Sequence, residues 1–440
     1  MRLYNSLTNK LEDFNTIEEK TLKMYVCGPT VYNFIHIGNA RPVIFFDVVK
    51  RYFEFLGYKV IYASNITDID DKIVNKAIEN GVTEKDIATQ FENAYFEDCK
   101  RLHSSKPDLV PHATEYLDDM ADYIDELIQK GFAYKVDDDI YFRVNKVSEY
   151  GILSNQTLDD LKDNVRITNT TNKENIKDFT LWKKPEKGIL FDTKIGLGRP
   201  GWHTECVCMN ESLFKGKIDI HGGGSDLKFP HHENEIAQSL ALHNHTIANF
   251  FMHVGRLNFN GVKMSKSLGN SILVRDILET YDANSFRLLI LSTPYRQNIN
   301  FTNELMEQFE KEYQKIYKAY KQADLALQIN DINNNCLFEE YITQMNEFMN
   351  NDLNTGNVIT LAYDLVKKIN TYTRSKEYDL LSKSVNTLKV ILNVLGIEIE
   401  LKQLETSDKE IYANWENARK EKNFDLADKY RQELIQRGIL

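Results

Sequence analysis

The segment PHHENE carries two side chains that could share a metal ion. It reads as the start of a helix, with Pro230 in the first turn, that continues as IAQSLALH. Because residues four apart lie on one helical face, His231 and Glu235 could offer two ligands to one ion. His232 would point about 100° away. A surface hydrogen bond between His231 and Glu235 is the alternative, and for an isolated pair it is the commoner one.

Thiols elsewhere in the chain could complete such a site. Cys27 ends the first predicted strand, and Cys206 lies in the segment GWHTECVCM. With His231 and Glu235 they would make the four ligands of a tetrahedral zinc site, although the dispersed spacing matches no local zinc-finger pattern. The alternative for Cys27 is a small core residue. Cys208 stands two residues after Cys206, so on a strand both thiols would face the same side.

The tetrapeptide HIGN has the composition of a phosphate-binding turn. It falls between a predicted strand and a predicted helix, and a helix N-terminus presents unpaired N–H groups and a positive dipole end. Gly38 allows a nucleotide to approach the backbone closely. His36 and Asn39 can donate hydrogen bonds to phosphate oxygens. A capped turn with a satisfied histidine is the alternative.

A second candidate nucleotide segment, KMSKSLGN, follows more than two hundred residues later. Lys263 and Lys266 could neutralise a triphosphate and then the departing pyrophosphate, which is electrostatic stabilisation of phosphoryl chemistry. For two lysines taken alone, a solvated basic loop is the usual alternative. The two segments in this order resemble the paired nucleotide signatures of class I aminoacyl-tRNA synthetases, in which a histidine usually stands where Asn39 does.

The elements that must position these residues form a predicted βαβ unit. Residues 21–27 read as a short buried strand, VIFFDVVKRYFEFLGY as a helix that stops at Gly57, and KVIYASN as a second strand. This order predicts a parallel sheet, and hence an α/β protein with a Rossmann-type catalytic domain. The expected divisions are a first catalytic half (1–131), a connective insertion (132–188), a second catalytic half (189–301), an α-helical bundle (302–403) and a short helical C-terminal segment (404–440).

Composition limits the functional classes. With 440 residues, 42% hydrophobic and 27% charged, the chain fits a soluble multidomain protein and not a disordered one. A formal net charge of -11 excludes a uniformly basic nucleic-acid surface but leaves room for a local basic patch. Five cysteines, no signal peptide and no run of about 20 apolar residues predict a cytoplasmic enzyme without a membrane partner.

Six segments together resemble one family, the cysteinyl-tRNA synthetases, in the order that family has them. They are MYVCGPTVYN, HIGNARP, SNITDIDDK, GRPGWHTEC, DIHGGGSDLKFPHHENEIAQS and KMSKSLGN. The resemblance implies ATP-dependent activation of L-cysteine and its transfer to tRNA(Cys), with Mg²⁺ accompanying ATP. It implies one zinc ion per chain, which selects the soft thiolate over the hydroxyl of serine. The zinc ligands would be Cys27, Cys206, His231 and Glu235, with Cys208 as a core thiol.

The same resemblance implies the remaining site residues. The catalytic residues would be Lys266, Lys263 and His36. ATP would be bound by His36, Gly38, Asn39, His221, Gly222, Gly223, Asp226, Lys263 and Lys266. Cysteine would be bound by Thr67, Trp202 and His203. Of the acidic residues Asp68, Asp70 and Asp71, we expect at least two to cap helices or lie in solvent.

The C-terminal part carries the expected RNA contacts. NDLNTGNVI resembles the family's helical bundle, and NARKEKNFDLADKYRQELIQRGIL resembles the start of its small anticodon-recognition region. Its lysines and arginines could contact phosphates, and a solvated amphipathic helix is the alternative. We expect a monomer, because no coiled-coil pattern is present.

Two other functions fit parts of the pattern. A ligase that passes cysteinyl-adenylate to an amino sugar would share the zinc and nucleotide segments, but it would not need the helical tail after residue 404. A catalytically silent, synthetase-like RNA-binding protein would not need the intact Lys263, Lys266 and His36. Both considerations favour the synthetase.

Overall fold

The computed structural model describes residues 1–155, 173–263 and 271–440. The chain divides into two compact units. The first contains Met1–Ala283, Thr293–Asn303 and Asn350–Leu353, and the second contains Asn284–Ser292, Glu304–Met349 and Asn354–Leu440. Within the described ranges, none of the helices combines the length and the apolar character needed to cross a membrane.

The first unit is built from strands and helices in alternation. Its strands are β1 (Arg2–Asn5), β2 (Lys10–Asp13), β3 (Thr21–Val26), β4 (Lys59–Ser64), β5 (Ala133–Val136), β6 (Asp139–Phe142), β7 (Phe179–Lys183), β8 (Phe191–Thr193), β9 (Gly196–Pro200), β10 (Ile218–Gly224), β11 (Ala248–Val254), β12 (Leu257–Phe259), β13 (Val262–Lys263) and β14 (Ile299–Phe301). Its helices are α1 (Ile37–Phe55), α2 (Asp71–Asn80), α3 (Glu84–Arg101), α4 (Leu117–Gln129), α5 (Trp202–Phe214), α6 (Glu233–His243) and α7 (Val274–Thr280).

A four-stranded parallel sheet in the order β11-β10-β3-β4 forms the centre of this unit. This confirms the predicted parallel sheet. Strand β10 is buried along almost its whole length, as expected where helices cover both faces of a parallel sheet. The connections leave β3 towards β4 and β10 towards β11, so the strand order reverses between β3 and β10. A crevice at the carboxyl ends of these two strands is the usual ligand position in such a sheet.

Helix α1 follows β3 and packs against the sheet. Its apolar residues recur at helical spacing, and most of them are fully buried. His36 is its N-cap residue, and Gly57, with φ of 78°, lies just after its end. The predicted strand, turn, helix and strand order is therefore confirmed, and the HIGN segment stands at the N-terminus of a 19-residue helix.

An antiparallel sheet in the order β5-β6-β7-β9-β8 follows α4. Its strands lie between Ala133 and Pro200, so the sheet continues past residue 188, where we expected the insertion to end. The reason is that β9 pairs with β7, with Trp182 opposite Pro200. The limits of the domains remain predictions.

The segment with Cys206 and Cys208 is a helix, so the strand considered for it is wrong. Helix α5 places residues two apart about 200° from each other, so the two thiols point in different directions. The helix after Pro230 also begins later than expected. Lys228–His232 form a separate helical turn, and α6 itself starts at Glu233.

The second unit is helical. Its helices are α8 (Ala283–Ser292), α9 (Asn303–Ile329), α10 (Glu339–Met349), α11 (Thr355–Ser375), α12 (Tyr378–Leu395), α13 (Thr406–Lys420) and α14 (Phe424–Gln436). The predicted bundle is confirmed in α9 to α12, each of which buries one apolar stripe. The last two helices form a hairpin in which the buried carboxylate of Asp408 pairs with Lys402 at 2.8 Å and Arg437 at 3.0 Å.

Candidate active site

Four predicted metal ligands converge at the carboxyl end of β3. Cys27 directly follows this strand, Cys206 lies in the first turns of α5, His231 lies in the turn before α6, and Glu235 lies in α6. One donor atom from each lies within 4.8 Å of the other three. The two sulfur atoms are 3.5 Å apart, and His231 Nε2 is 2.8 Å from Glu235 Oε1. Residues that are up to 208 positions apart in sequence therefore form one cluster.

The donor atoms suit a metal ion better than they suit one another. His231 Nε2 and Glu235 Oε2 are fully buried, and their contacts with Glu235 Oε1 at 2.8 Å and with His221 Nε2 at 2.6 Å lack the geometry of a hydrogen bond. Such orphaned buried atoms are costly unless something else binds them. Sulfur ligands about 2.3 Å from a tetrahedral zinc lie about 3.8 Å from each other, close to the separation of Cys27 and Cys206. Two thiols, an imidazole and a carboxylate form a donor set that zinc accepts.

Charge sharing within the cluster favours a thiolate at Cys206. The hydrogen bond from Cys27 lowers the pKa of Cys206 to about 6, with His231 acting in the same direction. Burial raises the pKa of Cys27. Burial alone would lower the pKa of His231, but the Glu235 carboxylate outweighs it and raises that pKa to about 10. The thiolate is the form of cysteine that binds metals.

Three histidines that extend this cluster were not predicted as parts of it. His221 Nε2 lies 2.6 Å from Glu235 Oε2, and His232 Nε2 lies 3.3 Å from the sulfur of Cys27. His221 and His232 form, with Cys27 and Glu235, a second group of four potential ligands. His232 Nδ1 in turn meets His253 Nε2 at 2.9 Å. The available sequence signal was a histidine inside each of two apolar strand segments, IDIH and FFMHV.

The residues expected to bind cysteine surround the cluster. Trp202 is 40% exposed and stacks on the imidazole of His231, with ring centroids 4.2 Å apart. His203 meets His231 through Nδ1 at 3.1 Å. Thr67 is buried, and its hydroxyl donates to the carboxylate of Glu205 at 2.8 Å. Sequence reasoning missed Glu205, which is fully buried and whose pKa is raised well above its usual value by that burial.

A cavity of about 350 Å³ opens at the carboxyl edge of the central sheet. It extends from Cys27, one of the four clustered donors, to the N-terminus of α1. The predicted site residues that line it are Cys27, His36, Gly38, Asn39, Trp202 and Asp226. The structure thus brings the thiol end of the site and the nucleotide turn onto one continuous surface.

The residue that departs from the class I pattern has a local structural role. Asn39 is exposed, and its Oδ1 accepts a hydrogen bond from the backbone N–H of His36 at 3.2 Å. This interaction caps helix α1, because it satisfies one of the N–H groups at its start. A short polar side chain at this position therefore stabilises the turn that presents His36 and Gly38 to the cavity.

Packing explains two of the glycines at the end of β10. A side chain on Gly222 would collide with the ring of Phe46 in α1, and one on Gly223 would lie 2.7 Å from Leu227. His221, Gly222 and Gly223 do not line the cavity, whereas Gly224 and Asp226 do. His221 instead contacts Glu235 of the four-donor cluster. The expected contacts of His221, Gly222 and Gly223 with ATP stay predictions from the sequence.

The structure describes only one of the two lysines that we expect to act on the pyrophosphate. Lys263 ends the short strand β13, which pairs with β12. Lys266 lies outside the described residues. Their roles remain predictions from the sequence.

Two family models match the chain. The model described as the tRNA synthetases class I (C) catalytic domain matches residues 13–312, and the model of the DALR domain matches residues 344–400. The chain is 49% identical to a cysteine–tRNA ligase of Acholeplasma laidlawii over 440 residues, covering 100% of both chains. It is 46% identical to a cysteine–tRNA ligase of Onion yellows phytoplasma, again with 100% of both chains covered.

Solved structures with a similar fold are more distant in sequence. Methionyl-tRNA synthetase of Mycobacterium tuberculosis, in complex with methionyl-adenylate, superimposes with a TM-score of 0.63 at 13% identity, covering 85% of this chain and 89% of that chain. A ternary LeuRS–tRNA–LeuAMS complex from Agrobacterium radiobacter gives a TM-score of 0.61 at 10% identity, covering 87% and 85%. At these identities the likeness concerns the fold alone.

Proposed function

The chain belongs to the cysteine–tRNA ligases of the class I tRNA synthetase family, and on that premise we propose how its residues perform the reaction. The enzyme activates L-cysteine with ATP and transfers the cysteinyl group to tRNA(Cys). Cys27, Cys206, His231 and Glu235 would hold a zinc ion, which would supply a soft binding position for the thiolate of the substrate. The observation that carries this assignment is the buried four-donor cluster that opens into the same cavity as the HIGN turn.

Selection of cysteine over serine is the task that the cluster suits. The two amino acids have nearly the same shape, and hydrogen bonding discriminates poorly between a thiol and a hydroxyl. A soft thiolate ligand on zinc discriminates strongly, and the bound ion also lowers the pKa of the substrate thiol. Trp202 stacks on His231 at the cavity wall, so it limits the space beside the position of the substrate side chain.

The nucleotide is proposed to bind on the α1 side of the cavity. His36, Gly38 and Asn39 lie at the positive end of the α1 dipole, where phosphate is favoured. Lys263 and Lys266 act on the β- and γ-phosphates and on the departing pyrophosphate, with Mg²⁺ bound to ATP. The support for both lysines is their place in the KMSKS segment.

The reaction needs no side-chain nucleophile. In the first step a carboxylate oxygen of cysteine attacks the α-phosphorus of ATP, and the bond to the bridging oxygen breaks, which releases pyrophosphate. In the second step a terminal ribose hydroxyl of the tRNA attacks the carbonyl carbon, loses its proton, and displaces AMP. The chain's contribution to both steps is positioning and electrostatic stabilisation.

The C-terminal hairpin is proposed to contact the anticodon arm. Trp415, Arg419, Phe424 and Arg431 line a depression between α13 and α14, and Phe424 is 70% exposed. Exposed aromatic and arginine side chains are the groups on which unpaired RNA bases stack. Lys420 adds a third positive charge to this lining, which also contains the carboxylates of Glu416 and Asp428.

We place the enzyme in the cytoplasm as a monomer. The cluster requires Cys27 and Cys206 as free thiols, which a reducing compartment maintains. The four donors of the cluster come from one chain, so a monomer can supply the complete set of predicted zinc ligands. Sedimentation at several protein concentrations tests the oligomeric part of this assignment.

Transfer of labelled cysteine to total tRNA, with ATP and Mg²⁺, tests the proposed function directly. Acid-precipitable label that RNase releases supports it. Pyrophosphate exchange without transfer would instead favour a ligase that passes cysteinyl-adenylate to an amino sugar. A protein with neither reaction would be a silent RNA-binding relative, and the proposed function would be wrong.

A further inference from the structure

We propose that Lys72 binds a phosphate near the 3′ end of the acceptor RNA and acts in the transfer step alone. This role depends on the function proposed above. Lys72 is the last residue of the segment SNITDIDDK. It belongs neither to the four-donor cluster nor to the nucleotide turn. It lies in the first turn of α2, it is exposed, and it lines the active-site cavity.

Its backbone position is fixed by a helix cap. Asp70 is the N-cap residue of α2, and its carboxylate accepts a hydrogen bond from the backbone N–H of Lys72 at 2.8 Å. The ammonium group of Lys72 lies 5.3 Å from the ring centroid of Tyr32, which also lines the cavity. An anchored backbone and a cation above an aromatic face restrict the side chain to the rim of the cavity.

The charge of Lys72 has no counter-ion in the described ranges, where none of the carboxylates lies within ion-pair distance of its Nζ. The nearest acidic neighbour in sequence, Asp71, already pairs with Lys183 at 2.6 Å and with Arg199. One turn further along the same helix, Lys76 has a partner, Glu79, at 2.8 Å. Lys72 is therefore available to an anion that enters the cavity.

Lys72 contacts the loop between β3 and α1 at Tyr32, whereas the nucleotide turn begins at His36, where that loop ends. The loop lines the cavity along most of its length. Near its start, Val31 N–H bonds to the carbonyl of Thr67 at 3.3 Å, beside the beginning of α2. At its end, Ile37 N–H bonds to the carbonyl of Ile272 at 2.9 Å, just before α7. The phosphates of ATP belong to the α1 end, so the cation at the α2 end is left for a second anionic substrate.

The chemistry of the second substrate fits this position. Only the transfer step brings a second polyanion into the cavity, and the backbone phosphates of an RNA end accompany the reacting ribose. A lysine binds phosphate as a point charge, which positions the RNA without reading its sequence. Cysteine offers one carboxylate close to its thiolate, and the thiolate must reach the buried cluster. An exposed cation at the rim suits the larger substrate better.

The experiment compares Lys72→Gln with Lys76→Gln, which removes a lysine from the same helix outside the cavity. Pyrophosphate exchange measures adenylate formation, and single-turnover transfer from preformed adenylate measures the second step. We expect Lys72→Gln to lower the transfer rate at subsaturating tRNA about tenfold and to leave exchange within about twofold of wild type. The slope of log KM for tRNA against log salt should fall by about 0.7 to 0.9, the contribution of one phosphate contact.

The controls separate the alternatives. Lys72→Arg should recover most of the transfer rate, and Lys76→Gln should behave as wild type in both assays. A raised KM for ATP or cysteine in exchange would assign Lys72 to that substrate and overturn the inference. Unchanged transfer with an unchanged salt slope would also overturn it. A wild-type protein without exchange and without transfer would instead refute the function on which this role depends.

Discussion

His203 and His231 face each other through their Nδ1 atoms, 3.1 Å apart. In a metal site, His231 would use Nε2, which points into the cluster, so its proton would lie on Nδ1 and be donated to His203. Burial lowers the pKa of His203 to about 3, so this ring stays neutral and can accept that proton. His203 would thus orient the predicted metal ligand His231, and its contact with cysteine stays a prediction from the sequence.

Replacing His203 by alanine should weaken zinc binding. Loss of a partner that orients a ligand typically lowers metal affinity by about 10- to 100-fold. Competition with a chromogenic chelator measures the affinity. His245→Ala is the matched control, because His245 is exposed, bonds to the neighbouring carbonyl of Thr246, stacks on His243 and belongs to neither group of potential metal ligands. Wild-type affinity in His203→Ala would show that the Nδ1 contact does not orient His231.

The two cysteines of α5 should behave differently. Cys206→Ser should reduce the metal content from about one zinc per chain to well under it, because a hydroxyl is a poor replacement for a thiolate ligand. Cys208→Ser should keep its zinc, because Cys208 lies in the core, where burial raises the pKa of its thiol. Elemental analysis of the purified variants gives both values. Zinc retained by Cys206→Ser and lost by Cys208→Ser would exchange their roles.

How far the sequence predicts this site depends on the range of the interactions. His231 and Glu235 were predictable from local spacing, because four residues of helix or helical turn determine their approach. The partnership of Cys27 with Cys206 was not, since it depends on how α5 packs against the end of β3. The helical character of α5 was missed because GWHTECVCM is short, and β-branched, aromatic and small residues leave its period ambiguous. The family resemblance supplied what local pattern could not.

The variant Gly222→Ala tests why glycine occupies this position: because a side chain would collide with Phe46, or because the backbone contacts ATP. The added methyl group would collide with the ring of Phe46, and overpacking of this kind costs about 1–3 kcal/mol. Urea unfolding should show the loss, with the KM for ATP unchanged in the folded protein. The double variant Gly222→Ala with Phe46→Leu should recover part of the stability. A stable variant with a raised KM for ATP would instead support the predicted contact of Gly222 with the nucleotide.

The stability of the first unit should depend on the protonation of His112. Burial alone would lower its pKa, but the hydrogen bond to Glu92 at 2.9 Å, with Asp68 and Glu115 nearby, raises it above 6.5. A raised pKa in the folded state stabilises the protein fully below pH 6.5, and this contribution is lost as pH rises through the folded value.

His112→Gln should remove this pH dependence. Because the pair is partly exposed, the effect should be below about 1 kcal/mol. Urea unfolding of both proteins at pH 6 and pH 8 gives the difference. The wild type should exceed the variant more at pH 6 than at pH 8. The opposite order, or equal differences at the two pH values, would show that His112 is not stabilised in its charged form.

Selectivity for cysteine should depend on the bound metal and not on the shape of the cavity. The walls around the cluster, including Trp202 and His231, would accept serine, which has nearly the same volume as cysteine. A hydrophobic pocket alone rejects such an analogue by only about 10- to 200-fold. Dialysis against a chelator should therefore lower the ratio of kcat/KM for cysteine over serine in pyrophosphate exchange, and added zinc should restore it. If the stripped protein kept its full preference, the cavity walls would be the source of selectivity, and the four-donor cluster would have only a structural role.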